Sequence, residues 1–440
     1  MKKAALHNLG CKVNSYETDA MREMLINDGY EIVPFHEKAD VYVINTCSVT
    51  NIADHKSRQM IHRAKSENPN AVIIAAGCYA QSGYETLRSD GSADIIIGNN
   101  NKDRLIELLH KFLADGREEE AISDISKSGV PFENLKVKSP IEHTRAFMKV
   151  QDGCDQFCSY CIIPYARGRI RSRAAVDVVR EAEVLSGQGI REIVLTGIHL
   201  DSYGRGTGES LIDLIEAVAE VPGIRRIRLG SIEPRIITDN FLSRLSLVDK
   251  FCPHFHLSLQ SGSASVLKRM NRKYTPDEYI AGVRKIRNIY DDPAITTDVI
   301  VGFPGETEDE FSETLDFAGK VGFSEMHIFK FSRRRGTRAD LMTPQITEKV
   351  KAERSSKLIA LSHEMTENYL NRRIGKKVSV LLEEMTEADG EKAWTGYTKE
   401  YSRVLIFTDR NLKNAIVNGY VGSVMNGALV LDTRQGIEVQ

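Results

Sequence analysis

Three cysteines crowd into one short run, Asp152-Gly153-Cys154-Asp155-Gln156-Phe157-Cys158-Ser159-Tyr160-Cys161-Ile162-Ile163-Pro164. The spacing is C-x3-C-x2-C, with Tyr160 just before the third cysteine. One short loop of this kind can wrap three corners of a 4Fe–4S cube. A fully protein-ligated cluster takes four thiolates, and no fourth cysteine lies nearby. The open iron can then bind a small chelator, and the amino and carboxylate groups of S-adenosylmethionine are the obvious candidate. Zinc, or a loop without chemistry, is the competing reading of the same residues.

Three further cysteines stand far apart, each directly after an apolar run: Leu9-Gly10-Cys11, Asn45-Thr46-Cys47 and Ala76-Gly77-Cys78. The elements around them explain why they belong together. Residues 3–112 alternate strand-like runs (Ala4–Leu9, Val41–Asn45, Ala71–Ala76, Asp94–Ile97) with helical patterns (Glu17–Asp28, Asp54–Glu67, Gln81–Arg88, Lys102–Leu113). Such alternation predicts an open, mostly parallel sheet with helices on both faces. The carboxyl ends of its strands line one edge, where ligands bind, so Cys11, Cys47 and Cys78 are expected to meet there. Three readings stay open for them: buried cysteines packed as small hydrophobes, a Zn²⁺ site of three thiolates and a water, or an iron–sulfur cluster with one open iron. Cys252 precedes a strand without a companion and reads as structural.

Residues 114–143 are polar and rich in breakers, and read as a linker. Beyond it, strand-like runs recur at Phe147–Gln151, Glu192–Thr196, Ile224–Leu229, Phe255–Leu259, Thr297–Val301 and Glu325–Lys330. Helical patterns lie between them at Ala175–Ser186, Ser210–Ala219, Asp239–Leu245, Pro276–Ile289 and Glu308–Val321. Six βα-type units are too few for a closed eight-fold barrel. They predict a partial (β/α)6 barrel whose open side admits a macromolecular substrate. Polar side chains at strand ends need partners, which singles out Glu233 and Gln260 as candidate cofactor contacts; Thr307 with Glu310 fits a helix capping box instead. Residues 349–370 read as a helix. Five short β runs between 376 and 434, punctuated by glycines, predict a small C-terminal β-barrel. Its charges roughly cancel, so a role in stability or dimerisation competes there with RNA binding. The fold class is therefore α/β, with an N-terminal open parallel sheet, a central partial barrel and a small C-terminal β-barrel.

The chain has 440 residues, 41% hydrophobic and 27% charged, with a net charge of −2. That is ordinary globular usage and excludes collagen, coiled coil and disorder. Seven cysteines without a secretory signal point to a reducing cytoplasm, and no apolar run is long enough for a membrane span. Three basic segments stand out on catalytic-end loops: Arg167 to Arg173; Lys268, Arg269, Arg272 and Lys273; and Lys330 with Arg333, Arg334, Arg335 and Arg338. Together they suggest a docking polyanion.

The Cys154–Cys161 loop resembles the signature of the radical S-adenosylmethionine superfamily. The whole chain resembles its methylthiotransferases, through Leu9-Gly10-Cys11-Lys12-Val13-Asn14, Asn45-Thr46-Cys47, Gly77-Cys78-Tyr79, Ile163-Pro164-Tyr165-Ala166-Arg167-Gly168, Gln260-Ser261-Gly262-Ser263 and Val301-Gly302-Phe303-Pro304-Gly305-Glu306-Thr307. The resemblance implies a methylthiotransferase domain over 1–118, a radical domain over 140–370 and a TRAM-like barrel over 371–440. It implies two 4Fe–4S clusters, one on Cys154, Cys158 and Cys161 that cleaves S-adenosylmethionine, and an auxiliary one on Cys11, Cys47 and Cys78 that carries the sulfur. With Glu233 and Gln260 at the strand ends, Tyr160 is the further cofactor contact expected.

The Leu-Gly-Cys-Lys-Val-Asn start looks like the branch acting on N6-threonylcarbamoyladenosine at tRNA position 37. The branches acting on isopentenyladenosine or on ribosomal protein S12 are the nearest alternatives, and a different radical enzyme or a non-catalytic RNA-binding metalloprotein the more distant ones. Implied partners are tRNA, S-adenosylmethionine and an electron donor such as flavodoxin or ferredoxin. Arg338 stands where relatives usually have proline, which puts the shape of that loop in question.

Overall fold

The computed structural model describes residues 1–127, 129–138 and 144–440. Strands β1 (Lys3–Asn8), β2 (Glu31–Ile32), β3 (Val41–Thr46), β4 (Val72–Gly77), β5 (Ile95–Ile97) and β6 (Glu119–Ala121) form one sheet in the order β2-β1-β3-β4-β5-β6. Every pairing in it is parallel. The central strands β3 and β4 are buried at every residue, which is why they read as continuous apolar runs rather than alternating ones. Helices cover both faces. Met21 and Leu25 of α1 (Lys12–Asn27) pack on one side, and Ile61 and Ala64 of α2 (Asn51–Glu67) on the other.

The stretch read as a linker is largely built into the fold. β6 adds the sheet's last strand, Leu135 and Val137 pack against Tyr16 and Ala20, and Glu133 is buried. Only one of the three residues of β6 is buried, too little for a periodic signal. Residues 128 and 139–143, which also belong to that stretch, lie outside the described residues.

The central unit contains β7 (Arg145–Lys149), β8 (Gln151–Asp152), β9 (Arg171–Ser172), β10 (Glu192–Thr196), β11 (Arg226–Leu229), β12 (His254–His256), β13 (Ala294–Val301) and β14 (Glu325–Lys330). The sheets β7-β10-β11 and β12-β13-β14 are parallel. Single parallel bridges, Ile227 to Phe251 and Ile232 to Leu257, link them, and one hydrophobic core runs beneath both. The intervening helices, among them Ala175–Gly187, Pro276–Ile289 and Glu308–Val321, fall where the periodicity places them. Capping boxes start the last two, from Thr275 and Thr307. The antiparallel pair β8–β9 brackets the cysteine loop.

Helix Glu348–Asn371 leads to β15 (Lys377–Ala388), β16 (Glu391–Thr398), β17 (Arg403–Ile406), β18 (Ile416–Met425), β19 (Ala428–Leu431) and β20 (Glu438–Val439). β15 pairs with both β16 and β18, so five strands close on themselves around Val380, Leu382, Trp394, Val404 and Leu429. β15 runs beyond its apolar part to a two-residue turn, Asp389-Gly390, both with positive φ, as a hairpin of that type requires. The unit docks through Arg226 and Arg228, which donate to the carbonyls of Tyr397 and Lys399 at 2.9 and 2.8 Å.

Candidate functional site

The central cysteine loop leaves β8 and is pinned from outside. The Cys154 amide donates to the Gly168 carbonyl at 3.0 Å, the Ser159 amide to Met270, and the Asn271 side chain to the Phe157 carbonyl at 2.9 Å. The Gln156 amide points at the Cys154 sulfur, 3.4 Å away, and the Arg272 guanidinium at the Cys158 sulfur, 3.3 Å away. Arg272 also pairs with Glu233 at 2.8 Å, and Glu233 faces His199 Nε2 at 3.5 Å. Glu233 therefore reaches the loop through one arginine. Burial opposes its charge, yet His199 and Arg272 hold its carboxyl below the usual range. Tyr160 is half-buried against the hydrophobic core of the central unit. Gln260 sits at positive φ and bridges Val299 through its backbone. Burial pushes the Cys154 and Cys161 thiols up to about 12. They hold their protons at neutral pH unless a cationic centre claims the thiolates.

The other three cysteines follow β1, β3 and β4, and the loops carrying them touch. A Cβ on Gly10 would lie 3.1 Å from the Cys47 sulfur. The Asn14 side chain donates to the carbonyls of Leu9, at 2.8 Å, and Thr46, at 3.1 Å. Gly77 takes a φ of +94°, and a side chain there would meet Asn45 Oδ1 at 2.4 Å, so only glycine turns the chain into Cys78. Asn99 Nδ2 lies 3.6 Å from the Cys78 sulfur and donates to the Ala166 carbonyl at 2.7 Å. Burial pushes Cys47 up to about 11.

Among the described residues, the groups with ligand atoms within 4.8 Å of one another are His256/Asp298/His327 and His199/Asp201/Glu233. Neither cysteine trio is that tight. Tetrahedral zinc with Zn–S near 2.3 Å would hold its sulfurs ~4 Å apart.

A buried charge network joins the two loops. Arg167, on the short helix Ile163–Arg167 just past Cys161, is fully buried and donates to Glu17 at 2.8 Å, to Asn14 at 2.7 Å and to Asp152 at 3.1 Å. Lys149 meets Glu17 and Asp152 at 2.7 Å each, and Lys102 meets Glu17 at 3.4 Å and Glu133 at 3.6 Å. Burial alone would raise the Glu17 carboxyl; Arg167, Lys102 and Lys149 outweigh it and hold the group well below the usual carboxylate range. A second crosslink is Arg334, buried on Ser48 and Asp54 beside Cys47.

These contacts correct the reading of the basic segments. Arg171 pairs inward with Asp152, Arg173 with Glu181, and Arg269 with Glu310. The solvent-facing cations are Arg169, Lys268, Lys273, Lys330, Arg333, Arg335 and Arg338.

A cavity of about 1000 Å³ opens where the three units meet. Cys11 and Lys12 line it from the N-terminal unit, Gly197, Gly230, His256 and Asp298 from the strand ends of the central unit, and Tyr397 and Tyr401 from the C-terminal barrel. The two tyrosines stack at 4.6 Å, with Arg145 above both rings.

Residues 3–98 match the uncharacterized protein family UPF0004, and residues 148–318 match the radical SAM superfamily. A Bacillus subtilis (strain 168) protein named threonylcarbamoyladenosine tRNA methylthiotransferase MtaB is 41% identical over 95% of this chain and 93% of its own length. The chain belongs to the radical S-adenosylmethionine tRNA methylthiotransferase family. An Aquifex aeolicus protein of the same name is 38% identical over 86% of this chain and 92% of its own. The tRNA-2-methylthio-N(6)-dimethylallyladenosine synthase of Acetivibrio thermocellus is 35% identical over 97% and 90%. The fold is shared with the radical S-adenosylmethionine methyltransferase TsrM of Kitasatospora setae, solved with cobalamin and a [4Fe-4S] cluster. The TM-score is 0.55 and the identity 14%, over 75% of this chain and 72% of that one.

Several residues of this methylthiotransferase site went unread in the sequence. Glu17 and Asn99 carry no local pattern, and Asn14 figured only as part of the Leu9–Asn14 run, without a role. Arg167 and Arg272 stood in plain view but counted as surface charge. The signal available was position: Arg167 closes the run Ile163–Gly168, and Asn14 and Glu17 lie one helical turn apart just after Cys11.

Proposed function

We propose that this chain converts N6-threonylcarbamoyladenosine at position 37 of tRNA into its 2-methylthio derivative. In this reading Cys154, Cys158 and Cys161 hold the 4Fe–4S cluster that binds S-adenosylmethionine, and Cys11, Cys47 and Cys78 hold a second one. The observation that carries it is the pairing of two three-thiol sites, neither with a fourth cysteine, across one buried charge network, with Cys11 and Ile163 lining one cavity. When bound, the clusters and S-adenosylmethionine supply one-electron chemistry and a sulfur source, which an unactivated aromatic C–H requires.

The chain's own residues do the positioning. Arg167 fixes the short helix after Cys161 against the helix that starts at Lys12, and so fixes one cysteine loop against the other. Glu233, Tyr160 and Gln260 border the S-adenosylmethionine site, with Arg272 holding Glu233 beside Cys158. The N-terminal unit through β6, the central unit to helix Glu348–Asn371 and the C-terminal barrel line the cavity from three sides. Lys268, Lys273, Lys330, Arg335 and Arg338 offer exposed positive charge for the tRNA backbone. Among the described residues no helix is long and apolar enough to cross a membrane. Work on cytoplasmic tRNA, with electrons from a flavodoxin or ferredoxin, completes the reading.

Mass spectrometry of nucleosides from the tRNA of a strain lacking the chain tests it. Loss of 2-methylthio-threonylcarbamoyladenosine with accumulation of its unthiolated parent is expected. Loss of the dimethylallyl product instead would assign the other tRNA branch, and unchanged tRNA would direct the search to ribosomal protein S12.

A further inference from the structure

We propose that Lys12 is the specificity residue of this site, its ammonium holding the carboxylate of the threonylcarbamoyl group on the adenine N6. The inference rests on the threonylcarbamoyladenosine reading above and adds the group that recognises it. Lys12 directly follows Cys11 and lines the central cavity opposite His256 and Asp298. It is half-buried, yet among the described residues its ammonium has neither a hydrogen bond nor a carboxylate within 4.0 Å. The other lysines taken out of water here are all paired: Lys102 with Glu17 and Glu133, Lys149 with Glu17 and Asp152, Lys351 with Glu348.

The acids around the cavity do not supply that partner. Asp298 faces His256 Nε2 at 3.4 Å, Glu400 pairs with Arg373 at 3.1 Å, and Glu325 is exposed with no ion pair to Lys12; Glu192 and Asp298 act on Lys12 only through space. The other arginine or lysine lining the cavity, Arg403, is exposed on β17 and donates to Thr395. Lys12 is thus the partly desolvated cation left for a ligand. An anion of the substrate is what such a cation selects, through a charge-assisted hydrogen bond.

Substrate chemistry meets this placement. The N6 substituent and C2 of adenine both flank N1, so a group that holds the substituent beside Cys11 turns C2 toward the Cys11, Cys47 and Cys78 site. A threonylcarbamoyl group carries a carboxylate, whereas a dimethylallyl group carries no charge and gives Lys12 nothing to bind.

The test is fluorescence anisotropy with iron-reconstituted full-length protein and three anticodon stem-loop RNAs. Their position-37 base carries threonylcarbamoyladenosine, the same group with its carboxylate converted to a carboxamide, or plain adenosine. The wild type should prefer the carboxylate over the carboxamide by about 10- to 100-fold. Lys12→Met and Lys12→Gln should bring that preference within about two-fold, with carboxamide affinity and bound iron unchanged. Lys12→Arg should retain most of it. A preference that survives in both uncharged variants, or a loss falling equally on carboxylate and carboxamide, overturns the role of Lys12 alone. A wild type that does not separate threonylcarbamoyladenosine from plain adenosine overturns the substrate reading and Lys12's role with it.

Discussion

Cys154, Cys158 and Cys161 come from one loop, whereas Cys11, Cys47 and Cys78 come from the ends of three adjacent strands far apart in sequence. The loop trio is placed by its own short chain and clamped by Asn271 and Arg272. The sheet trio is placed by strand register, by Asn14 and Asn99 bridging between loops, and by Arg167 and Arg334 reaching in from the central unit. One site is a local motif, and the other a property of the assembled fold. Damage to the interface between the units should therefore disturb the second before the first.

The largest effect belongs to the loop trio. Cys158→Ala should reduce both S-adenosylmethionine cleavage and methylthiolation to background, because both need that cluster. 5′-Deoxyadenosine and nucleoside mass spectrometry read the two losses together, and surviving cleavage would separate the loop from the cofactor.

Arg167→Met tests the interface. It strips Glu17 and Asp152 of their shared arginine in a dry setting, a loss of about 3–5 kcal/mol for a broken buried pair. Lower thermal stability is expected, with bound iron falling from about eight toward about four per chain as the sheet trio loosens first. Equal iron loss from both sites would erase the contrast between them.

Glu233→Gln acts within the loop site only. The KM for S-adenosylmethionine should rise about ten-fold with iron content unchanged; an unaltered KM would leave Glu233 as a structural partner of Arg272.

The last effect is a pH dependence of stability, not of activity, at Asp201, which accepts the Glu233 amide at 2.8 Å and whose carboxyl burial pushes up to about 7. A carboxyl that keeps its proton in the fold but loses it near 4 when unfolded favours the folded state at low pH. That contribution, on the order of 4 kcal/mol, declines as pH rises from about 4 through 7. Asp201→Asn should flatten this part of the stability profile between pH 5 and 8 in thermal melts. A parallel profile would show that Asp201 does not titrate there.

Sequence alone reached as far as local pattern reaches. Cys11, Cys47 and Cys78 were legible as a group because each follows a strand of one parallel sheet; helix Pro276–Ile289 announced itself by period, and helix Glu308–Val321 by period and its Thr307 cap. β6 was hidden because three residues with one buried side chain have no periodicity. Glu133 was hidden because a buried acid in a polar stretch looks like any solvated one. The sign of a charge is visible in sequence but not the direction it faces. Arg167, Arg171 and Arg173 therefore looked like a docking surface while Glu17, Asp152 and Glu181 bury them. Lys12 is the converse, an ordinary helix-start lysine that, among the described residues, is left without a partner once three units close around it.

The division of labour between the trios is tested most directly by replacing Cys11, Cys47 and Cys78 together with alanine in one full-length chain. The variant should bind about four irons, still form 5′-deoxyadenosine from S-adenosylmethionine under reduction, and leave threonylcarbamoyladenosine unthiolated. Loss of 5′-deoxyadenosine formation, or continued methylthiolation, would contradict it.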